Sequence, residues 1–244
     1  LSLGDLGLRD DDRAIVAVEL KRPNGMILNT GPTGSGKTTT LYAFLKEKFT
    51  PEIKIVTIED PVEYHVAGIE QTEVHEEAGY TFASGLRSIM RQDPDAILVG
   101  EVRDRDTAEI AVQAALTGHL VFSTVHANEA AGAIPRFLDL GVRPTSLGPA
   151  LNLVIGQRLV RKLCDTCRAP RQATAEFAAG ITQFLKARPA RVDRAPYASW
   201  TGYDSRGWDA CNGSGYRGRI AIFELLLNDP DFGELAEGRG GGGL

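Results

Sequence analysis

The chain is poor in the features that would mark a secreted, membrane-spanning or nucleic-acid-binding protein. Three cysteines in 244 residues do not describe a disulfide framework, although Cys164 and Cys167 stand at metal-ligand spacing. The longest apolar stretches fall far short of the roughly 20 residues that a bilayer requires, and nothing at the start reads as a charged-then-apolar leader. Nor is there a basic excess. The 27 lysines and arginines are interspersed with 32 acids for a net charge of −5, whereas a nucleic-acid binder carries a basic footprint. That balance argues against a helicase or recombinase, so the expectation is a soluble, cytoplasmic protein with no nucleic-acid partner. Ordinary core material is present, with 43% hydrophobic residues, enough for one large α/β domain with or without a small appendage. Leu1 in place of a methionine, and glycines at 240–243, read as the ends of a fragment.

The most informative stretch is Gly31-Pro32-Thr33-Gly34-Ser35-Gly36-Lys37-Thr38, which fits G-x-x-x-x-G-K-S/T between an apolar run and a helical stretch at residues 39–48. Glycines let the backbone wrap a phosphate so that several N–H groups point at one anion. Lys37 adds a mobile positive charge for the β and γ phosphates, and the Thr38 hydroxyl suits a magnesium shell. The helix that opens at Thr39 offers its unpaired N–H groups and positive dipole end to the same anion.

Around this loop the periodicities alternate. Asp10, Asp11 and Asp12 ahead of Ile15, Val16, Val18 and Leu20, with Lys21 and Arg22 at the far end, predict a short helix. Residues 26–29 read as a buried strand entering the loop, and residues 54–58 as a second, delivering Glu59, Asp60 and Glu63 before and after the stop at Pro61. Phe82, Leu86, Ile89 and Met90 fall at helical spacing. A third strand at 96–99 closes on Gly100 and Glu101, and Thr107 is expected to cap the helix that follows. A fourth strand at 120–124 leads to His126 and a helix at about 130–140. Residues 147–163 read as a long apolar-periodic helix, 173–206 show no assignable pattern, and 219–227 read as a closing strand.

Such alternation implies a mainly parallel sheet covered on both faces, with binding groups at the carboxyl ends of its strands. The phosphate loop, Glu59 and Glu63, Glu101 and His126 all fall there. Each has a plainer reading. The acids after Ile58 suit a solvated strand end, Glu101 an ion pair with Arg103 or Arg105, and His119 and His126 ordinary hydrogen bonding.

Taken together, GPTGSGKTTTLY, IEDPVEY, RSIMRQDPDAILVGEVRDRDTAE and TGHLVFSTVHAN resemble the ATPase core shared by type II secretion and type IV pilus assembly motors, over roughly residues 6–229. The resemblance implies a RecA-like P-loop NTPase core that works as a homo-hexameric ring, peripheral at the cytoplasmic base of an inner-membrane machine. Its partners there are an inner-membrane platform protein and a cytoplasmic adaptor, and its cofactors are ATP and Mg²⁺. The resemblance also names parts: a Walker A loop at 31–38, an aspartate box at 59–63, a Walker B segment at 97–101 with Gly100 in place of the usual aspartate, and a histidine box at 117–126. On that footing Glu101 is the catalytic glutamate, joined by Lys37 and Glu63. Thr38, Glu59, Asp60, Glu63 and Glu101 are associated with magnesium, and His119 and His126 act as sensors.

The run QRLVRKLC at 157–164 resembles the family's approach to a module that often carries two C-x-x-C pairs and zinc. Cys164 and Cys167 would be the first pair. Of the second only Cys211 is present, with Trp208 where its mate would be. A tetrahedral structural zinc takes four protein ligands, and no histidine lies between Cys164 and Cys211. Either Zn²⁺ is retained with Asp209 supplying an oxygen, or the cysteines are relics in a loop held by packing. The module favours an extension or secretion motor over a pilus-retraction motor. The expected organisation is a core at 1–163, a cysteine-containing module at 164–218, and a closing strand with a tail at 219–244. A ring scaffold that binds nucleotide with little turnover is the alternative, against which Glu101 argues, since a scaffold needs no carboxylate at the water position.

Overall fold

The computed structural model describes residues 2–172, 174–188, 194–195 and 201–228. In chain order it contains α1 (Asp10–Glu19), β1 (Gly25–Thr30), α2 (Lys37–Lys48), β2 (Ile55–Glu59), β3 (Glu70–Glu73), α3 (Phe82–Met90), β4 (Ala96–Val99), α4 (Arg105–Leu116) and β5 (Leu120–Val125). There follow α5 (Ala133–Asp139), α6 (Pro144–Ala150), β6 (Leu151–Leu163), β7 (Ala169–Arg171), α7 (Ala175–Lys186), β8 (Gly202–Asp204) and β9 (Tyr216–Leu227). The chain divides into two compact units, one made of the residues up to Leu159 with those from Ala221 onward, the other of Val160–Ile220. Among the described residues no helix is long and apolar enough to cross a membrane.

In the first unit the sheet runs β3-β2-β4-β5-β1-β6-β9. The pairings of β1 with β5 and β6, of β2 with β3 and β4, and of β4 with β5 are all parallel. Strands β1, β2, β4 and β5 are buried along their whole length, which is why apolar residues run consecutively in them, as at 26–28, 96–99 and 120–122, rather than alternating with polar ones. Successive side chains still point to opposite faces. Met26 and Leu28 join Leu86, Ala111 and Phe137 on one side of the sheet, while Ile27 joins Val16, Leu41 and Phe44 on the other. The helices that flank these layers begin as their sequences ask. Three acids occupy the first turn of α1, and Thr81 caps α3 by accepting from the Ser84 N–H.

Several expectations need correction. Residues 147–163 are not one helix: α6 stops at Ala150 and β6 begins at Leu151. The run Leu151, Leu153, Val154, Ile155 is buried beside β1, and a strand covered on both faces mimics a helical apolar stretch. The cap of α4 is Asp104, whose carboxylate accepts from the Thr107 N–H at 2.9 Å, so Thr107 lies inside the helix. The second strand includes Glu59, the fifth helix starts at Ala133, and the closing strand starts at Tyr216. Strand β3, too polar to stand out, extends the sheet beyond β2.

In the second unit β7 and β8 pair antiparallel, and the stretch without an assignable pattern contains α7, capped by Thr174. The proposed tail at 229–244 lies outside the described residues.

Candidate functional site

Strand β1 ends at Thr30, level with Val125 of β5 and Gly156 of β6, and the chain then turns through the phosphate loop into α2. Gly31, Gly34 and Gly36 have φ of 147°, 74° and 86°, a region that side-chain-bearing residues avoid. A Cβ on Gly31 would lie 2.2 Å from the Gln157 carbonyl oxygen, whereas one on Gly34 would meet nothing within 4 Å. The loop is therefore pressed against β6 on one side and open on the other. Lys37 folds back so that its Nζ donates to the carbonyls of Gly31 (2.9 Å) and Pro32 (3.1 Å). Burial pulls its pKa down, and the nearby Glu101 carboxylate pushes the other way. The Ser35 hydroxyl is buried without a hydrogen-bond partner among the described residues. Pro32 and Thr33 are exposed, and Thr38 and Thr39 are half-buried at the start of α2. An open cradle, a turned-back cation and an orphaned hydroxyl fit a polyphosphate.

Glu101 follows β4 at the carboxyl end of the sheet, with its side chain 13% exposed. One oxygen pairs with Arg103, and the other lies 3.6 Å from His126 Nε2. The segment is pinned by its neighbours. Ser123 donates to the Val99 carbonyl, Thr124 to that of Gly100, and the Val102 N–H to that of Thr124. Gly100 is packed closely, so that a Cβ there would stand 3.3 Å from the Glu59 Cα and 3.4 Å from the Ile58 carbonyl oxygen.

The aspartate box divides by burial. Glu59 is 3% exposed, and its oxygens accept from Tyr42, Thr57 and Gln71. Asp60 and Glu63 are exposed, and Asp60 lines a cleft with His75, Glu76, Glu77 and Arg103.

The two histidines separate. His126 follows β5 and reaches Glu101, while His119 precedes β5, with Nδ1 3.2 Å from the Ala114 carbonyl. Six residues of strand, about 20 Å at the usual rise, lie between them, so His119 is not among the groups gathered at the phosphate loop. Residues that sequence reasoning did not single out complete the frame. Thr30 Oγ1 donates to the Ala127 carbonyl and accepts from its N–H, both at 2.9 Å, tying the segment after His126 to the loop's entrance. Asn29 and Gln157 bond to each other beside the loop at 2.7 Å.

In the second unit the ligand atoms of Cys164, Cys167 and Cys211 lie within 4.8 Å of one another, with Cys167 Sγ and Cys211 Sγ 3.8 Å apart. Cys211 Sγ accepts from the N–H groups of Trp208 and Gly215, and the Trp208 bond foremost lowers its pKa; burial raises that of Cys167. The thiol spacing suits a thiolate metal centre. Among the described residues no fourth ligand joins the group, Asp209 included.

A family model described as "Type II/IV secretion system protein" matches residues 1–241. The chain is 48% identical over 235 residues to the type II secretion system protein E of Pseudomonas aeruginosa, covering 96% of this chain and 45% of that protein. It is 45% identical over 229 residues to the type IV pilus assembly ATPase PilB of Myxococcus xanthus, covering 93% of this chain and 38% of that one. It thus spans less than half the length of these curated relatives. Among solved structures, that of the pilus retraction motor PilT with bound ADP superposes with a TM-score of 0.69 at 31% identity, covering 98% of this chain and 57% of PilT. The fold is that of the RecA-like secretion ATPases.

Proposed function

The chain belongs to the type II/IV secretion system protein family, and from that premise we propose that it is the ATP-hydrolysing part of a motor subunit for type II secretion or type IV pilus assembly. The observation that carries this reading is the meeting of an open phosphate loop, Lys37 and Glu101 at the carboxyl ends of parallel strands. Phosphoryl transfer asks chiefly for positioning and charge neutralisation. The loop amides bind the phosphates, and Lys37 swings from the Gly31 and Pro32 carbonyls to meet them. Glu101, parted from Arg103, orients the attacking water, and His126 beside it registers its state. Thr38, Asp60, Glu63 and Glu101 are the groups that would hold Mg²⁺, which supplies charge neutralisation at the phosphate oxygens. Glu59, with its oxygens already engaged, shapes the box from behind.

By family resemblance the working form is a homo-hexamer acting, peripheral to the inner membrane, on a platform protein and an adaptor. The same resemblance implies that the arginines completing the site come largely from a preceding domain, and the loss of an arginine finger costs about 10³–10⁵ in rate, or about 4–7 kcal/mol of barrier. Cys164, Cys167 and Cys211 are the residues that would hold a Zn²⁺, which would supply a structural cross-link within the second unit.

The test is phosphate release by the full-length protein and by this chain alone, with Mg²⁺ and with EDTA. The expected result is Mg²⁺-dependent turnover by the former and at least about 10³-fold slower turnover by the latter. Equal rates would remove the role given to the preceding domain. ATP binding without turnover by the full-length protein would favour the ring scaffold. Deletion in the host then separates the two machines, by loss of a secreted protein or loss of pili.

A further inference from the structure

Gln157 is buried in β6 at 3% exposure, and its side-chain hydrogen bonds reach the phosphate loop and the strand that enters it. Its Nε2 donates to the Ser35 carbonyl at 2.9 Å, and its Oε1 accepts from Asn29 Nδ2 at 2.7 Å. Its own carbonyl oxygen occupies the space that a Cβ on Gly31 would need, 2.2 Å away, and its Nε2 stands 3.1 Å from where a Cβ on Gly36 would be. One residue thus holds the loop at both ends.

A phosphate loop works only if its N–H groups face the anion, which requires its carbonyls to face away. In a planar trans peptide the C=O and the N–H point in opposite directions. By holding the Ser35 carbonyl against β6, the Gln157 amide turns the Gly36 N–H to the open side of the loop. The amide itself can sit only one way round. The Ser35 carbonyl accepts and never donates, so it must meet Nε2; Oε1 then needs a donor, which Asn29 provides.

We propose that Gln157, oriented by Asn29, is a positioning residue that sets the anion-binding conformation of the phosphate loop. This rests on the nucleotide reading above. The test uses the full-length protein as wild type, Gln157→Glu and Asn29→Asp. The Gln157→Glu side chain keeps the shape and the Asn29 bond but has no proton for the Ser35 carbonyl and repels it. The Asn29→Asp carboxylate accepts from the Gln157 amide, turning it over so that Oε1 meets the Ser35 carbonyl. ATP affinity is measured by equilibrium titration, with KM, kcat and melting temperature alongside.

Both variants should lose ATP affinity at least about tenfold, with KM rising in step. Maximal turnover at saturation should stay near wild type, because a contact made equally in ground and transition states is lost. Either variant that folds decides the matter. Wild-type affinity in a folded variant overturns the proposal, and so does a loss of affinity matched by equal losses of kcat and melting temperature, which would mark a merely structural role. Wild type that binds no ATP would instead overturn the nucleotide reading itself.

Discussion

Tyr42→Phe separates a supporting role for Glu59 from a direct one. Tyr42 is fully buried on α2, its hydroxyl donates to Glu59 Oε2, and its ring meets Tyr64 edge-on at 4.6 Å. Phenylalanine keeps the ring packing and removes the hydroxyl, which donates to Glu59 and accepts from Gln71 Nε2 at 3.4 Å, leaving Glu59 with Thr57 and Gln71. A hydrogen bond to a charged group contributes about 1.5–3 kcal/mol, so the variant should unfold in urea with that much less stability and an unchanged m-value. For a chain of this length the melting temperature should fall by about 3–12 °C. A second reading comes from pH. Burial, foremost, and the Glu59 carboxylate push the Tyr42 phenol well above its ordinary value near 10. The raised group contributes stability that is complete below about pH 10. It is lost as pH rises further, because the unfolded phenol ionises first, at up to about 1.4 kcal/mol per pH unit. The gap between wild type and variant should therefore narrow above about pH 10 and hold steady below it. A stability change under about 0.5 kcal/mol, or parallel alkaline slopes, would refute the buried donor–carboxylate pair and return Glu59 to the solvent-facing part of the box.

Two further outcomes follow from the packing. Gly100→Ala must push against the Glu59 Cα, 3.3 Å from the new Cβ, and displace Glu101 by a few tenths of an ångström; turnover should fall at least about tenfold with ATP binding retained, read by phosphate release and titration. Metal analysis of the purified full-length protein should find about one zinc per chain, and Cys211→Ser should remove it, since the site has only three thiolates to lose from.

What could be read from the residues was what local sequence dictates. The phosphate loop needs glycines where the chain turns with positive φ, and Gly31, Gly34 and Gly36 stand at those places. Glu101 and His126 were legible because both follow buried strands, whose ends lie together in a parallel sheet. His119 lies apart because the same strand that brings His126 to that end carries His119 to the other. The burial of Glu59 could not be seen, for it depends on Tyr42, 17 residues distant, and on Gln71 from a polar strand with no apolar signature. Gln157 was hidden twice: it meets Ser35 across 122 residues, and it sits in an apolar run that fits a helix as well as a buried strand.

The central claim is that Glu101 serves the attacking water at an ATP site. Mg-ATP hydrolysis by the full-length protein beside its Glu101→Gln variant, with ATP binding measured for both, tests it most directly. The account predicts that the variant binds ATP as wild type does while turnover falls by about 10² or more. Unchanged turnover in a variant that binds ATP normally would contradict it, leaving Glu101 as no more than the partner of Arg103.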